Sequence, residues 1–114
     1  MADEELGRLI FHASAGGDEA GLAELLADRD ADTVLSWADP SQGWTPLFVA
    51  VDADIDAALQ EKEPLDLTCT ELLLAAGAAP DAVATDGLTP VRIAERYRCT
   101  EAVRALQKRR PTTA

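Results

Sequence analysis

The sequence predicts an all-α fold in which about three helix–turn–helix units stack as a solenoid. A Gly-x-Thr-Pro segment occurs at 43–46 and again at 87–90, so two parts of the chain begin alike at a spacing of 44 residues. Stretches rich in leucine and alanine, which pack closely as helices, lie between and beside these segments. Aromatic residues make up only 4% of the chain, so the core must be mainly aliphatic.

Size and composition indicate one globular domain. The chain has 114 residues, of which 47% are hydrophobic and 27% charged. Two cysteines, Cys69 and Cys99, do not make a disulfide framework, and we expect them to be small buried or half-buried side chains. No signal peptide is evident, and no apolar run approaches the roughly 20 residues of a membrane helix. We therefore expect a reduced, cytoplasmic protein.

The helix boundaries follow from the local residues. Each Thr-Pro predicts a helix start, because threonine caps free N–H groups and proline at the first helical position loses no hydrogen bond. Gly77 after a leucine-rich stretch predicts a helix end with a left-handed glycine, and Pro80 prevents continuation. The helices are predicted near 4–15, 19–28, 46–61, 67–76, 90–97 and 100–109.

The apolar side chains of these helices form the predicted core. Because one helix pair cannot bury its apolar face alone, stability must come from the stacking of neighbouring pairs. The predicted core residues are Leu9, Ala13, Leu22, Leu25, Leu26, Leu47, Ala50, Leu72, Leu73, Ile93, Ala94, Val103 and Leu106.

These motifs resemble the ankyrin repeat family, whose repeat of about 33 residues has a Thr-Pro-Leu-His-x-Ala helix start. Thr45-Pro46-Leu47 and Leu73-Leu74-x-x-Gly77-Ala78 match the middle repeat, and Thr89-Pro90 opens the last one. The resemblance implies one ankyrin repeat domain over 1–114 with capping end repeats. Its repeats would lie at about 4–40, 41–84 and 85–110.

The chain departs from the family pattern in two ways. Phe48 and Arg92 replace the histidine of the helix start, so the hydrogen bond of that histidine is missing. The middle repeat is about 11 residues longer than the family's, and we place this insertion at 54–64.

Ankyrin repeats bind partner proteins on the concave surface formed by the loop tips and the first helices. Carried over to this chain, the resemblance implies a partner-binding surface made of Trp44, Asp52, Ala53, Leu88, Arg96 and Tyr97. Trp44 is the strongest candidate, because tryptophan brings a large contact area with few rotatable bonds. The alternative for Trp44 is a partly buried loop anchor, and for Trp37 we favour local packing.

The inserted segment contains a spacing that invites a calcium interpretation. Asp52, Asp54, Asp56 and Glu63 occupy positions 1, 3, 5 and 12 of the EF-hand pattern. The turn glycine of that pattern is replaced by Ala57, and the surrounding residues favour helix. We therefore expect a solvated acidic extension of the helix, and no metal or other cofactor.

Catalytic groups are poorly represented. The one histidine, His12, is placed in a helix among predicted core residues. There is no second histidine to act as a base for a serine or cysteine nucleophile, so no nucleophile–base pair is predicted. We therefore expect no catalytic residues and no enzyme activity.

Charge suggests the kind of partner. The net charge is −11, with 19 acidic and 3 basic residues in positions 1–90. This acidic body, residues 1–90, favours partner proteins with a basic surface, and it repels nucleic acid and anionic membranes. We expect a monomeric adaptor or inhibitor; the alternative is an acidic mimic or chaperone that blocks a basic nucleic-acid-binding protein.

Overall fold

The computed structural model describes residues 3–27, 35, 37–40, 42–62, 64–80 and 82–108. This part of the chain contains six α-helices and no strand, which confirms the all-α prediction there. The helices are α1 (Asp3–Gly16), α2 (Glu19–Leu26), α3 (Pro46–Glu61), α4 (Thr68–Ala75), α5 (Pro90–Arg96) and α6 (Thr100–Lys108). The predicted helix ends at 28 and 109 lie outside the described residues.

Both Thr-Pro segments begin helices as predicted, but they do so differently. Thr89 precedes α5, and its Oγ1 accepts a hydrogen bond of 3.2 Å from the Arg92 N–H. Thr45 occupies the same position before α3, yet its side chain makes no capping hydrogen bond, so this detail of the prediction is wrong. Pro46 still supports the start, because it has no N–H that needs an acceptor.

Left-handed residues end four of the helices, and Lys62 does so after α3 with a φ of 53°. Gly77 follows α4 with a φ of 104°, as predicted, and the Ala78 N–H reaches back to the Leu73 carbonyl at 3.0 Å. Gly17 ends α1 in the same way, with a φ of 68°. Arg98 takes this role after α5 with a φ of 57°, although a side chain there is disfavoured.

The helices pack around α3. It contacts α1, α4 and α5, while α2 packs against α1 and α4, and α6 packs against α5. The α3 residues Leu47, Phe48, Ala50 and Val51 are completely buried. The other buried apolar residues are Leu6, Ile10, Leu22, Leu35, Ile55, Cys69, Leu73, Leu74, Ala78, Ala84, Ile93, Ala94, Ala102 and Leu106. The core is therefore continuous from α1 to α6.

Most predicted core residues are buried or packed against this core, but two expectations about α1 are wrong. Leu9 is 38% exposed. The face of α1 that packs inward carries Leu6 and Ile10, which are four residues apart and therefore share one side of the helix. His12 is also exposed rather than placed among core side chains.

Trp37 packs locally, as favoured from the sequence. Its ring lies edge-on to that of Phe11, with 5.6 Å between the ring centroids. It also covers Gly7, where a Cβ atom would come within 2.6 Å of the Trp37 ring. The glycine thus lets the tryptophan lie directly against α1.

We predict that Arg98→Gly stabilises the fold by up to about 1 kcal/mol, because glycine relieves the left-handed strain at this position. Urea unfolding followed by circular dichroism measures the change. The control is Arg92→Gly on the exposed side of α5, which we expect to destabilise by about 1 kcal/mol. Equal destabilisation by both substitutions would contradict the role assigned to Arg98.

Candidate binding cleft

Two similar loops carry Trp44 and Leu88. In the first, the Asp39 N–H donates to the Trp44 carbonyl at 2.8 Å. In the second, the Ala84 N–H donates to the Leu88 carbonyl, also at 2.8 Å. Each hydrogen bond closes a tight loop immediately before a Thr-Pro helix start. The two side chains therefore leave the backbone from equivalent positions.

The loops are joined to each other. The Thr85 N–H donates to the Gln42 carbonyl at 3.3 Å. Gly43 has a φ of 72°, and a Cβ atom there would lie 2.4 Å from the Thr85 Oγ1. Glycine at 43 thus allows both the turn and the close approach of the second loop.

Helices α3 and α5 meet through a hydrogen bond beside these loops. The Tyr97 hydroxyl donates to the Asp52 Oδ1 at 2.7 Å. This bond to a carboxylate, together with burial, raises the pKa of Tyr97 to about 12. The phenol therefore remains a neutral donor over the whole physiological range, and it fixes the distance between Asp52 and the end of α5.

Five of the six predicted binding residues line one cleft of about 410 Å³. Its lining residues are Trp44, Asp52, Leu88, Ile93, Arg96 and Tyr97. Trp44 is half-buried, and its ring centroid lies 5.8 Å from that of the buried Phe48. Trp44 is thus a partly buried anchor on the core with part of its side chain accessible, and its role in partner binding stays a prediction. Arg96 is exposed at the edge of the cleft.

Ala53 does not belong to this cleft. It lines a separate groove of about 230 Å³ with Gly16, Gly17 and Asp54. Successive residues of a helix point about 100° apart, so Ala53 and Asp52 cannot face the same narrow site. Ala53 is therefore separated from the other five predicted residues, and its place in a partner-binding surface stays a prediction.

The groove contains a buried carboxyl group that the sequence analysis missed. Asp54 was expected on a solvated helix, but it is only 9% exposed. Its Oδ2 accepts hydrogen bonds from the Thr70 N–H at 3.1 Å and from the Thr70 Oγ1 at 2.8 Å. A signal was available, since Asp54 falls three residues after Val51 and therefore on the buried side of α3.

These hydrogen bonds complete the start of α4. The residue before that helix is Leu67, which has no side chain able to cap. Asp66 accepts from the Thr68 N–H at 3.0 Å and also from the Thr68 hydroxyl. Asp54 supplies the acceptor for the Thr70 N–H from a different helix. Two carboxylates thus replace a local cap at the positive end of the α4 dipole.

The carboxyl groups around this helix start perturb one another. Burial raises the pKa of Asp54 to about 6, and the hydrogen bonds from Thr70 oppose this shift. A hydrogen bond with Asp66, and then its charge, raise the pKa of Glu19. The hydrogen bonds from Thr68 hold the pKa of Asp66 below its usual value.

The aspartates of the EF-hand spacing have three different partners. Asp52 accepts from Tyr97, Asp54 accepts from Thr70, and Asp56 accepts from the Gln60 Nε2 at 2.8 Å. All three project from the continuous helix α3, and Glu63 lies outside the described residues. No group of three or more His, Cys, Asp or Glu side chains in the described part is arranged to hold a metal ion.

No protein-family model and no curated protein matches this sequence. Among the helices of the described ranges, none combines the length and apolar character needed to cross a membrane.

We predict that the hydrogen bond to Asp52 controls the ionisation of Tyr97, which is the one tyrosine of the chain. Its ultraviolet absorbance should titrate near pH 12, and the midpoint should fall toward the ordinary value of about 10 in Asp52→Asn. The control is Asp56→Asn on the same helix, which leaves this hydrogen bond intact. Circular dichroism at each pH identifies any unfolding, and an unchanged midpoint in Asp52→Asn would contradict the assignment.

Proposed function

We propose that this chain is an ankyrin-type repeat module that binds a partner protein through the cleft between its two Thr-Pro loops, the middle of α3 and the end of α5. The observation that carries the proposal is the convergence of Trp44, Leu88 and Tyr97 on one open cleft. These residues lie far apart in the sequence, and the resemblance to ankyrin repeats implies that all three belong to the partner-binding surface.

The stacking of the helices supports the repeat architecture. The helix that follows each Thr-Pro segment packs against the preceding first helix, since α3 contacts α1 and α5 contacts α3. Each first helix also contacts the second helix of its own pair. This arrangement is the one expected when helix pairs stack side by side and bury a shared core.

The side chains of the cleft suit binding. Tryptophan, tyrosine and arginine are the residue types that contribute most to the affinity of protein interfaces. Trp44 and Tyr97 are held in place by Phe48 and Asp52, so little side-chain freedom is lost when a partner binds. The cleft is thus largely organised before the partner arrives.

The chemistry of the cleft defines its occupant. Trp44, Leu88 and Ile93 provide an apolar lining for an aliphatic or aromatic side chain. Beside them, Arg96 offers a charged donor and Asp52 a charged acceptor, which orient the polar groups flanking that side chain. We propose that a single apolar anchor of the partner enters the cleft, while the acidic body speeds the approach of a basic partner surface.

Affinity capture from a native lysate, followed by mass spectrometry, tests this proposal. We predict that Trp44→Ala and Tyr97→Ala each weaken the capture of the same partner, by about 30-fold or more in a subsequent titration, as expected when a central anchor is lost. The matched control is Val83→Ala, which shortens a 67% exposed apolar side chain outside the cleft.

Each result has a defined meaning. Loss in both cleft variants but not in Val83→Ala supports the proposed site. If the partner is still captured by both cleft variants, and capture falls steeply as salt is added, the proposed site is wrong and the acidic-mimic function is favoured. Circular dichroism of each variant excludes loss through unfolding.

A further inference from the structure

Three carboxyl groups meet where α2, α3 and α4 come together. Asp54 of α3 and Asp66 before α4 accept hydrogen bonds from the first turn of α4, and Glu19 begins α2. We call Glu19, Asp54 and Asp66 the carboxyl junction. All three line the groove of about 230 Å³ that separates the first two helix pairs.

We propose that the carboxyl junction is a proton-sensitive clasp: uptake of a proton there removes a buried negative charge, while α4 stays attached to α3 through Asp54, and so stabilises the fold. The fold is then held more firmly in mildly acidic solution than at neutral pH. This inference concerns the junction alone and does not depend on the function proposed for the cleft.

The surroundings of Asp54 favour proton uptake. Glu19 faces it from α2, Asp66 from the segment before α4, and the Cys69 thiol from α4 itself. From its own helix, Glu61 also lines the groove.

Among the described residues that line the groove, no positive charge offsets these acids. The groove residues contributed by α1 are uncharged, neither α5 nor α6 contributes to it, and the described lining contains no basic side chain. A charged Asp54 is therefore surrounded by acids and removed from water, both of which favour its neutral form.

Asp54 can be protonated without losing its hydrogen bonds from Thr70. Both hydrogen bonds from Thr70 end on the same oxygen, Oδ2 of Asp54. A proton on Oδ1 leaves Oδ2 as a carbonyl oxygen that still accepts from Thr70. Protonation thus removes a buried charge and keeps the connection between α3 and α4.

The direction of the pH dependence follows from linkage. The pKa of Asp54 is about 6 in the folded chain and 3.8 as its ordinary value, so the folded state binds the proton first as pH falls. Stability is therefore gained as pH falls from above 6 toward 3.8. The raised pKa of Glu19 acts in the same direction. The lowered pKa of Asp66 acts oppositely, but only below its ordinary value of 3.8.

Thermal unfolding at pH 7.5, 6.5, 5.5 and 4.5 tests the clasp. We predict that the melting temperature of the wild-type chain rises by roughly 5 °C over this range. Asp54→Asn keeps an oxygen that accepts from Thr70 but cannot titrate, so it should melt higher than wild type at pH 7.5 and lose much of the rise. The control Asp56→Asn removes the same charge from the same helix and should keep the rise.

Direct titration of Asp54 by carbon NMR of its carboxyl group provides a second test that needs no unfolding. We expect a midpoint near 6 in the wild-type chain. Thr70→Val removes one hydrogen bond to the carboxylate and should raise this midpoint by about one pH unit. A structural role without proton linkage would not move the midpoint.

Two results would overturn the proposal. One is a wild-type midpoint near 4 with no shift in Thr70→Val. The other is an equal loss of the acid-range rise in Asp54→Asn and Asp56→Asn, which would assign the rise to general repulsion among surface acids. If Asp54→Asn does not fold, the NMR titrations of the wild type and Thr70→Val still decide.

Discussion

The burial of one face of α3 is the constraint on which the other helices depend. Leu47, Phe48, Ala50 and Val51 have no exposed surface, and the helix that carries them contacts α1, α4 and α5. Since a short helix pair buries little apolar area alone, these contacts give all three pairs a common core. Loss of a large side chain such as Phe48 would therefore weaken every helix that packs on α3 rather than one pair.

The same helix forms a wall of two different polar sites. Asp52 and Asp54 are two positions apart, so their side chains point about 200° from each other around the helix axis. Asp52 meets Tyr97 at the cleft, whereas Asp54 meets Thr70 at the carboxyl junction. The cleft and the junction are thus built on different sides of one helix, and their side chains do not touch in the described hydrogen-bond pattern.

Local signals made the helix boundaries and most cleft residues predictable. Thr-Pro and glycine determine where helices start and stop by their backbone preferences, which act within a few residues. The resemblance then placed Trp44 and Leu88 at equivalent loop positions.

The rotation of each helix was less predictable, because it depends on neighbours distant in sequence. Alanine- and leucine-rich helices offer several apolar faces, so Leu9 was wrongly placed inside. A buried aspartate such as Asp54 contradicts hydropathy and is explained only by Thr70, which comes from another helix.

The choice of an acid at 54 has a physical consequence that an amide would not have. A carboxylate accepts stronger hydrogen bonds than a neutral oxygen and interacts favourably with the positive end of α4. Burial and the neighbouring acids oppose that gain, and they outweigh it, because the pKa of Asp54 is raised despite its two hydrogen bonds. The opposing effects leave the charged and neutral forms close in free energy near pH 6. Asp66 is more exposed to solvent than Asp54 and accepts two hydrogen bonds from Thr68, so its pKa is lowered rather than raised. Two carboxyl groups at the start of α4 therefore have different roles. Asp66 remains a charged cap, and Asp54 takes up a proton in mildly acidic solution.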